Sequence, residues 1–136
     1  MGATLSEQIR DFLAAGPWAV VGASTNRAKY GNKVLRCYLQ NGKRPVYAVN
    51  PRASEIEGVE CYPDLAALPE PARAISIITP PAITEGVVDD ALRLGIGRLW
   101  MQPGAESAPA VERALAGGID VIAGGPCLLV ALGYRE

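Results

Sequence analysis

Apolar residues along this chain fall into two alternating patterns. Mostly apolar runs of four or five residues are too short for helices and end at Gly, Pro, Asn or Thr, as expected of strands buried on both faces. The predicted strands are residues 18–22, 45–49, 74–78, 98–102 and 120–123. Between them, apolar residues recur at helical spacing, with Ser, Thr, Asn and Gly where helices begin and end. The predicted helices follow Thr4, begin near Gly31, span Ile83 to Leu92, follow Ser107 and run from Cys127 to Leu132.

This alternation predicts an α/β fold. Right-handed crossovers would wind about four strand–helix units into a doubly wound parallel sheet of about five strands, with helices on both faces. A βα-barrel would need eight units and roughly 250 residues. The length of 136 residues, 49% of them apolar, predicts one domain over residues 1–136. Residues 52–73 are less regular, and we expect a short extended piece near Cys61 and Tyr62 and a brief helix capped by Asp64.

Charge and residue usage exclude several function classes. The 13 basic residues nearly balance the 14 acidic ones, so we expect no binding to nucleic acid or to a membrane surface. Histidine is absent, which removes imidazole bases, phosphohistidine intermediates and most zinc sites. The 3 cysteines are too few for a disulfide framework. Without a signal peptide or an apolar run of about 20 residues, the chain is predicted to be soluble and cytoplasmic.

The candidate ligand site lies where the predicted strands end, because open parallel sheets bind ligands beyond the carboxyl ends of their strands. The first loop, residues 22–27, joins a buried strand to a helix N-terminus, which favours phosphate. Gly22 fits the tight turn, but the dinucleotide fingerprint would put glycines where this chain has Ser24 and Arg27. A hydroxyl and a guanidinium bind phosphate themselves. The alternative is that Ser24 only caps a turn and Arg27 is a solvated charge.

The other strand ends add a cation and two rigid loops. NAD-binding folds carry an acid after the second strand, whereas Asn50-Pro51-Arg52 offers a cation that suits the 2′-phosphate of NADP or the 3′-phosphate of coenzyme A (CoA). Thr79-Pro80-Pro81 predicts an apolar shelf for an adenine or a pantetheine arm. Gln102-Pro103-Gly104 is predicted to present unpaired amides before another helix. The alternative for each segment is a turn or a chain stop with surface side chains.

No nucleophile with an activating partner stands out. Cys127 follows a Gly-Gly-Pro turn, but without histidine its thiol lacks the usual base, so an inert, partly buried thiol is expected. Cys37 and Cys61 are predicted to be packing residues. The adjacent carboxylates Asp89 and Asp90 fall on the polar side of a predicted helix, where we expect them to be solvated. The residues therefore predict binding rather than catalysis.

Several motifs occur here in a combination typical of one family. They are Val20-Val21-Gly22-Ala23-Ser24, Arg27, Tyr30-Gly31, Val34, Val49-Asn50-Pro51, Gly58, Tyr62 and Trp100-Met101-Gln102-Pro103-Gly104. Over about residues 15–127 the chain resembles the small stand-alone CoA-binding proteins. These proteins are similar in fold, which is Rossmann-like, to the CoA-binding domain of the succinyl-CoA synthetase α subunit and of ADP-forming acyl-CoA synthetases.

The resemblance implies which residues hold CoA. It implies phosphate contacts from the first loop and the helix behind it, 3′-phosphate contacts after the second strand, and cleft-lining roles after the third and fourth. The implied CoA-binding residues are Gly22, Ala23, Ser24, Arg27, Lys29, Tyr30, Asn32, Asn50, Pro51, Arg52, Thr79, Pro80, Pro81, Gln102, Pro103 and Gly104. The chain departs from the family at Lys29, where a small hydroxyl residue is common, and at Ala131, near which the family commonly has a Glu and a His.

The predicted function is binding of CoA or an acyl-CoA without ligase activity, as a sensor, carrier or regulatory subunit. The resemblance supports this because the synthetases transfer phosphate through a histidine in another part of their subunit, and this chain has none. An NADP-binding oxidoreductase-like domain and a ligand-free protein interaction module are the alternatives. A homodimer or an unknown protein partner stays open, and Trp100 and the C-terminal apolar stretch would contribute to such a surface if exposed.

Overall fold

The computed structural model describes residues 3–136, in which strands and helices alternate as the sequence predicts. The strands are β1 (Trp18–Val21), β2 (Val46–Val49), β3 (Glu55–Ile56), β4 (Val59–Tyr62), β5 (Ala74–Ile77), β6 (Arg98–Met101) and β7 (Asp120–Ile122). The helices are α1 (Leu5–Leu13), α2 (Tyr30–Gln40), α3 (Pro81–Leu94), α4 (Ala108–Ala116) and α5 (Leu128–Leu132), with a 3₁₀ turn at Leu65–Ala67. Within residues 3–136, none of these helices has the length and apolar content to cross a membrane.

The sheet has β1 at its centre. The strand order is β3-β4-β2-β1-β5-β6-β7, and β3–β4 is the antiparallel pair in an otherwise parallel sheet. From β1 the chain first adds β2 and β4 on one side and then returns to add β5, β6 and β7 on the other. The direction of winding therefore reverses between β1 and β5. The predicted doubly wound α/β fold is confirmed.

Apolar side chains cover both faces of this sheet. Successive residues of a strand point to opposite faces, so Val21 and Ile77 pack with α3 and α4, whereas Val20 and Trp100 pack with α1, α2 and α5. The central strands are continuous apolar runs because both of their faces are covered. Trp100 is fully buried, and its Nε1 donates to the Pro126 carbonyl at 3.0 Å. Burial therefore rules Trp100 out of a dimer surface, whereas Val130 of the C-terminal stretch is 82% exposed.

The irregular segment accounts for the difference between the about five strands predicted and the seven found in residues 3–136. β3 and β4 form a hairpin whose two-residue turn, Glu57–Gly58, has φ angles of +53° and +78°, as type I′ turns require. The expected extended piece at Cys61 and Tyr62 is the end of β4. Asp64 Oδ1 accepts a hydrogen bond from the Ala67 amide at 3.0 Å, so the predicted cap is confirmed.

The helices differ in how they begin. Thr4 and Glu7 form the predicted capping box on α1, and the Ser107 hydroxyl accepts from the Ala110 amide on α4. Lys29 and Pro80, which precede α2 and α3, give no side-chain hydrogen bond to the first turn. The first N–H groups of a helix have no partner within it, and within residues 3–136 the amides of Tyr30 and Gly31 in α2 and of Ala82 in α3 donate to no protein group. The first turns of both helices therefore keep donors for other groups.

Candidate ligand-binding cleft

A cavity of about 730 Å³, called the cleft below, opens at the carboxyl ends of β1, β2, β4 and β5. It lies where the direction of winding reverses, the position at which open parallel sheets bind ligands. Four loops and part of α3 line it. The lining residues are Val21, Gly22, Ala23, Ser24, Lys29, Tyr30, Gly31, Val49, Asn50, Pro51, Arg52, Pro63, Asp64, Leu65, Ile78, Thr79, Ile83, Val87 and Asp90.

Two glycines bring the backbone of the first loop close to its neighbours. Gly22 has a φ of +95°, and a Cβ atom on it would lie 2.3 Å from the Ile78 carbonyl oxygen. A Cβ on Gly31 would lie 2.0 Å from the Gly22 carbonyl oxygen. Real Cβ atoms do not approach backbone so closely, so only glycine fits at both positions. The result is that the N-terminus of α2 is held against the end of β1, beside the cleft.

The electrostatics of the cleft favour an anion. α2 and α3 begin at its edge with the partial positive charge of a helix N-terminus. Lys29 and Arg52 are exposed lining residues, and within residues 3–136 neither takes part in an ion pair. The two lining carboxylates, in contrast, have protein partners: Asp90 accepts from Arg93 at 2.8 Å, and Asp64 Oδ1 accepts from the Ala67 amide at 3.0 Å. The two cations are therefore available to a negatively charged ligand.

Asn50 ties the loops after β1 and β2 together. Its Nδ2 donates to the Ala23 carbonyl at 2.8 Å, and its Oδ1 accepts from the Arg52 amide at 2.8 Å. Beside it, the Ser24 hydroxyl accepts from the Asn26 amide at 3.0 Å, which is the turn-capping alternative stated for this residue. This use leaves the Ser24 hydroxyl proton for another acceptor, because a hydroxyl has one donor and two acceptor positions. Asn50 thus holds the two loops together through hydrogen bonds to their backbone.

Arg27 and Asn32, both implied CoA-binding residues, lie in a polar network outside the cleft lining. Arg27 Nη1 pairs with Glu57 Oε1 at 2.5 Å. Asn32, fully buried, donates from Nδ2 to the Ser24 carbonyl at 2.8 Å and to Glu57 Oε2 at 3.1 Å, and it accepts from Arg36 Nε at 2.7 Å. The Asn32 amide and the Arg27 guanidinium lower the pKa of Glu57. The network links the β3–β4 turn to α2 and the first loop.

The end of β6, which is the fourth of the predicted strands, is closed. Pro80, Pro81, Gln102, Pro103 and Gly104 do not line the cleft. Gln102 is fully buried, and its Oε1 accepts from the Leu128 amide at 2.9 Å and from the Tyr30 hydroxyl at 3.1 Å. The same hydroxyl lies 2.6 Å from Cys127 Sγ. Burial, and next the contact with Cys127, raise the pKa of Tyr30, so this phenol stays neutral.

The cleft also contains residues that the sequence interpretation missed. Pro63 and Asp64 follow β4, whose short hairpin gave little strand signal, and Ile83, Val87 and Asp90 lie on α3. We assigned Val87 to a helix core and Asp90 to a solvated face, because spacing shows which side of a helix a residue occupies but not what faces it. Ile83 is 57% exposed in the structure, which the spacing of apolar residues in the sequence does not reveal.

Comparison with known proteins identifies the family of this chain. The family described as CoA binding domain matches residues 17–133. Two curated relatives are the ADP-forming acetate–CoA ligases I and II of Archaeoglobus fulgidus. The first is 37% identical over 75 residues and the second 32% identical over 89 residues, which are 55% and 65% of this chain. The matched regions are only 11% and 13% of those ligases.

Several solved structures are also similar to this chain. A conserved hypothetical protein from Pyrococcus furiosus is 38% identical, with a TM-score of 0.78 over 84% of this chain and 97% of that one. A hypothetical protein from Pyrococcus horikoshii is 28% identical, with a TM-score of 0.86 over 96% and 95%. The dinucleotide-forming acetyl-coenzyme A synthetase 1 of Ca. Korarchaeum cryptofilum, in complex with phosphate and ADP, is 31% identical, with a TM-score of 0.72 over 81% and 26%. The chain therefore belongs to the CoA binding domain family.

Proposed function

We propose that this protein binds CoA or an acyl-CoA in the cleft, as a binding, carrier or regulatory module without ligase activity of its own. The observation that carries the proposal is the convergence of two unpaired cations, Lys29 and Arg52, with the uncapped first turns of α2 and α3. Helix N-termini and ammonium or guanidinium groups are the usual partners of phosphate. CoA carries a pyrophosphate and a 3′-phosphate, and membership of the CoA binding domain family supports it as the ligand.

The proposed contacts divide the cleft into two parts. The first-loop amides of Gly22 to Ser24, the start of α2 and Lys29 hold the pyrophosphate, with Tyr30 lining the same wall. Arg52 holds the 3′-phosphate, and Asn50 and Pro51 fix the loop that presents it. Thr79 and the exposed Ile83 flank the adenine or the pantetheine arm. Arg27 would reach the ligand by exchanging Glu57 for a phosphate.

The proposed absence of ligase activity rests on the chemistry of the chain. It contains no histidine, so it lacks the residue type that general-base and phosphoryl-transfer sites use most often. The chain spans 11% and 13% of the two Archaeoglobus ligases. Nothing in the cleft supplies a base beside a nucleophile, and the lining groups described above are suited to binding. We therefore propose that any acyl transfer or phosphorylation happens outside residues 1–136.

Calorimetric titration of the full chain with CoA, dephospho-CoA, NADP and NAD tests the proposed ligand. We expect CoA to bind tightest and dephospho-CoA about tenfold or more weaker, because it lacks the phosphate that Arg52 would hold. Tighter binding of NADP than of CoA would overturn the proposal and favour an oxidoreductase-like domain. Absence of a thermal shift with every nucleotide would favour a protein interaction module.

The contact of Arg52 is tested by a pair of variants. R52A should bind CoA and dephospho-CoA with nearly equal affinity, because the group that reads the extra phosphate is gone. R10A is the matched control: Arg10 lies on α1, its side chain is 68% exposed, and its removal should leave the preference for CoA intact. An undiminished preference in R52A would show that another residue reads the 3′-phosphate.

A further inference from the structure

We propose, building on the proposed function, that Cys127 is a thiol-exchange site for the sulfur end of the ligand and forms a mixed disulfide with CoA. The sequence alone favoured an inert thiol here, because no histidine accompanies it. The structure instead places the Tyr30 hydroxyl 2.6 Å from the sulfur. Tyr30, Gln102 and Cys127, called the thiol cluster below, lie within hydrogen-bond distance of one another through the Tyr30 hydroxyl.

The thiol cluster borders the cleft. Tyr30 is the first residue of α2 and a lining residue, so its ring stands between the proposed phosphate site and Cys127. Its hydroxyl lies 2.6 Å from Cys127 Sγ. CoA extends from its pyrophosphate through a long flexible pantetheine arm to a thiol. An arm that starts at the α2 N-terminus and follows the Tyr30 ring therefore brings its sulfur toward Cys127.

The hydrogen bonds of the cluster fit both protonation states of the thiol. With the thiol protonated, S–H donates to the Tyr30 oxygen and the Tyr30 hydroxyl donates to Gln102 Oε1. With the thiolate, the Tyr30 hydroxyl turns to the sulfur, and Gln102 Oε1 still accepts from the Leu128 amide at 2.9 Å. Because burial raises the pKa of Tyr30, the phenol keeps the proton that this donation needs. The thiolate is the reactive form in disulfide exchange.

A second observation at the thiol cluster points to a ligand. Gln102 is fully buried, yet its Nε2 has no hydrogen-bond acceptor within the described residues 3–136. The other end of this amide is held by two donors, which fixes the orientation and leaves Nε2 as a donor. Buried donors without acceptors are rare and call for an explanation. The pantetheine arm contains two amide carbonyls, which are acceptors of the kind that Nε2 lacks.

The proposed step is an exchange with CoA disulfide. The Cys127 thiolate attacks one sulfur of that disulfide, a new bond forms between Cys127 Sγ and this sulfur, and the original S–S bond breaks. The second CoA leaves as a thiolate and takes a proton from water, which balances the proton that Cys127 gave up. One disulfide replaces another, so no external oxidant or reductant is required.

The test uses the full reduced chain with two probes, CoA disulfide and glutathione disulfide, and follows intact mass and peptide maps over time. We expect one CoA adduct on Cys127, formed about tenfold or more faster than the glutathione adduct, because binding in the cleft raises the local concentration of the sulfur. The adduct should disappear in C127S. It should persist in C37S and C61S, the matched controls, since both thiols are buried in the structure.

Y30F tests the hydrogen bond to the sulfur, and the exchange should slow by about three- to tenfold without loss of the native fold. An unchanged rate would remove Tyr30 from the proposal. Equal rates with the two disulfides, an adduct on Cys37 or Cys61, or no adduct on a wild-type protein that binds CoA in calorimetry would overturn thiol exchange alone. Failure of CoA itself to bind would overturn the proposed function as well.

Discussion

The carboxyl ends of the parallel strands form two regions that differ in how open they are to solvent. At the ends of β1, β2 and β5, glycines bring loops close, two helices begin without side-chain caps, and a cavity of about 730 Å³ lies open. At the end of β6, Gln102 is fully buried under the segment 124–132, which follows β7 and contains α5. We call these the open half and the closed half. Tyr30 is the residue that belongs to both, since it lines the cleft and bonds to Gln102.

The difference shows where stability and binding are located. In the closed half the apolar groups are covered and, apart from Gln102 Nε2, the polar groups described above are partnered: Gln102 Oε1 accepts from the Leu128 amide, and the Trp100 indole donates to the Pro126 carbonyl. In the open half, within residues 3–136, Lys29 and Arg52 have no ion-pair partner and the first-turn amides of Tyr30, Gly31 and Ala82 donate to no protein group. This arrangement contributes little to folding and is suited to a ligand. Substitutions of buried side chains in the closed half should therefore reduce the free energy of unfolding, and substitutions of exposed cations in the open half should reduce affinity.

The largest effect is expected from Trp100→Ala. Trp100 is fully buried, lies edge to face with Phe12 at a centroid distance of 5.3 Å, and holds the segment after β7 through its indole N–H. Its removal should lower the free energy of unfolding by about 3–5 kcal/mol, measured by urea denaturation. Ile83→Ala, in the open half, is the control and should change it by less than about 0.5 kcal/mol. Similar losses in both variants would contradict the division.

The next prediction compares a glycine in α2 with a glycine in α3. Gly31→Ala should destabilise the protein by about 1–3 kcal/mol, because the new methyl group meets the Gly22 carbonyl oxygen at 2.0 Å and α2 must move. Gly86→Ala, in α3, meets nothing within 4 Å and should stabilise by about 0.5–1 kcal/mol. Thermal denaturation of both variants measures this. A stable Gly31→Ala protein would show that the start of α2 is not held as closely as described.

A third prediction concerns affinity within the open half. Lys29→Ala should weaken CoA binding by about tenfold, the effect of losing one charged hydrogen bond to phosphate. Arg27→Ala should weaken it less, because the guanidinium must first leave Glu57 to reach the ligand. Calorimetric titration of each variant, with stability checked by urea denaturation, measures the difference. The reverse order of effects would place Arg27 on the phosphate and Lys29 in solvent.

The open half was the easier part to predict from sequence. Its loops follow buried strands with strong apolar signals, and Gly22, Asn50 and Thr79 stand directly at those strand ends, so the sheet itself brings them together. The capped helix starts at Thr4 and Ser107 were readable for the same local reason, since a cap involves residues three positions apart. These predictions therefore rested on local sequence signals at the ends of strands and helices with a clear apolar pattern.

The closed half and the hairpin depended on contacts distant in sequence. The burial of Gln102 depends on Leu128, 26 residues later, and no spacing rule connects them. β3 and β4 have two and four residues, and the β3–β4 turn uses a glutamate at φ +53° where glycine or asparagine is the usual signal. Asp90 was assigned to solvent because a helical pattern does not show that a loop across the sheet edge faces it.

The smallest expected effect concerns Glu57, which connects the hairpin to the first loop. The Asn32 amide and Arg27 lower its pKa in the folded state, whereas an unfolded glutamate titrates near ~4.3. A lowered folded-state pKa stabilises the protein above the unfolded value, and that stability is lost as the pH falls through the folded value. Glu57→Gln should thus be less stable than wild type near neutral pH, by under about 1 kcal/mol because the pair with Arg27 is partly exposed.

The stability gap between wild type and Glu57→Gln should narrow below the unfolded pKa and close as the pH falls through the lowered folded-state pKa, since both proteins then carry a neutral side chain at this position. Urea denaturation at neutral pH and at several acidic values measures it. Glu55→Gln is the matched control, because this exposed side chain lies on the same hairpin, and it should change stability by less than about 0.5 kcal/mol. A gap that persists in acid would mean that the turn depends on the shape of Glu57 rather than on its charge, and the hairpin would then be joined to the open half by packing alone.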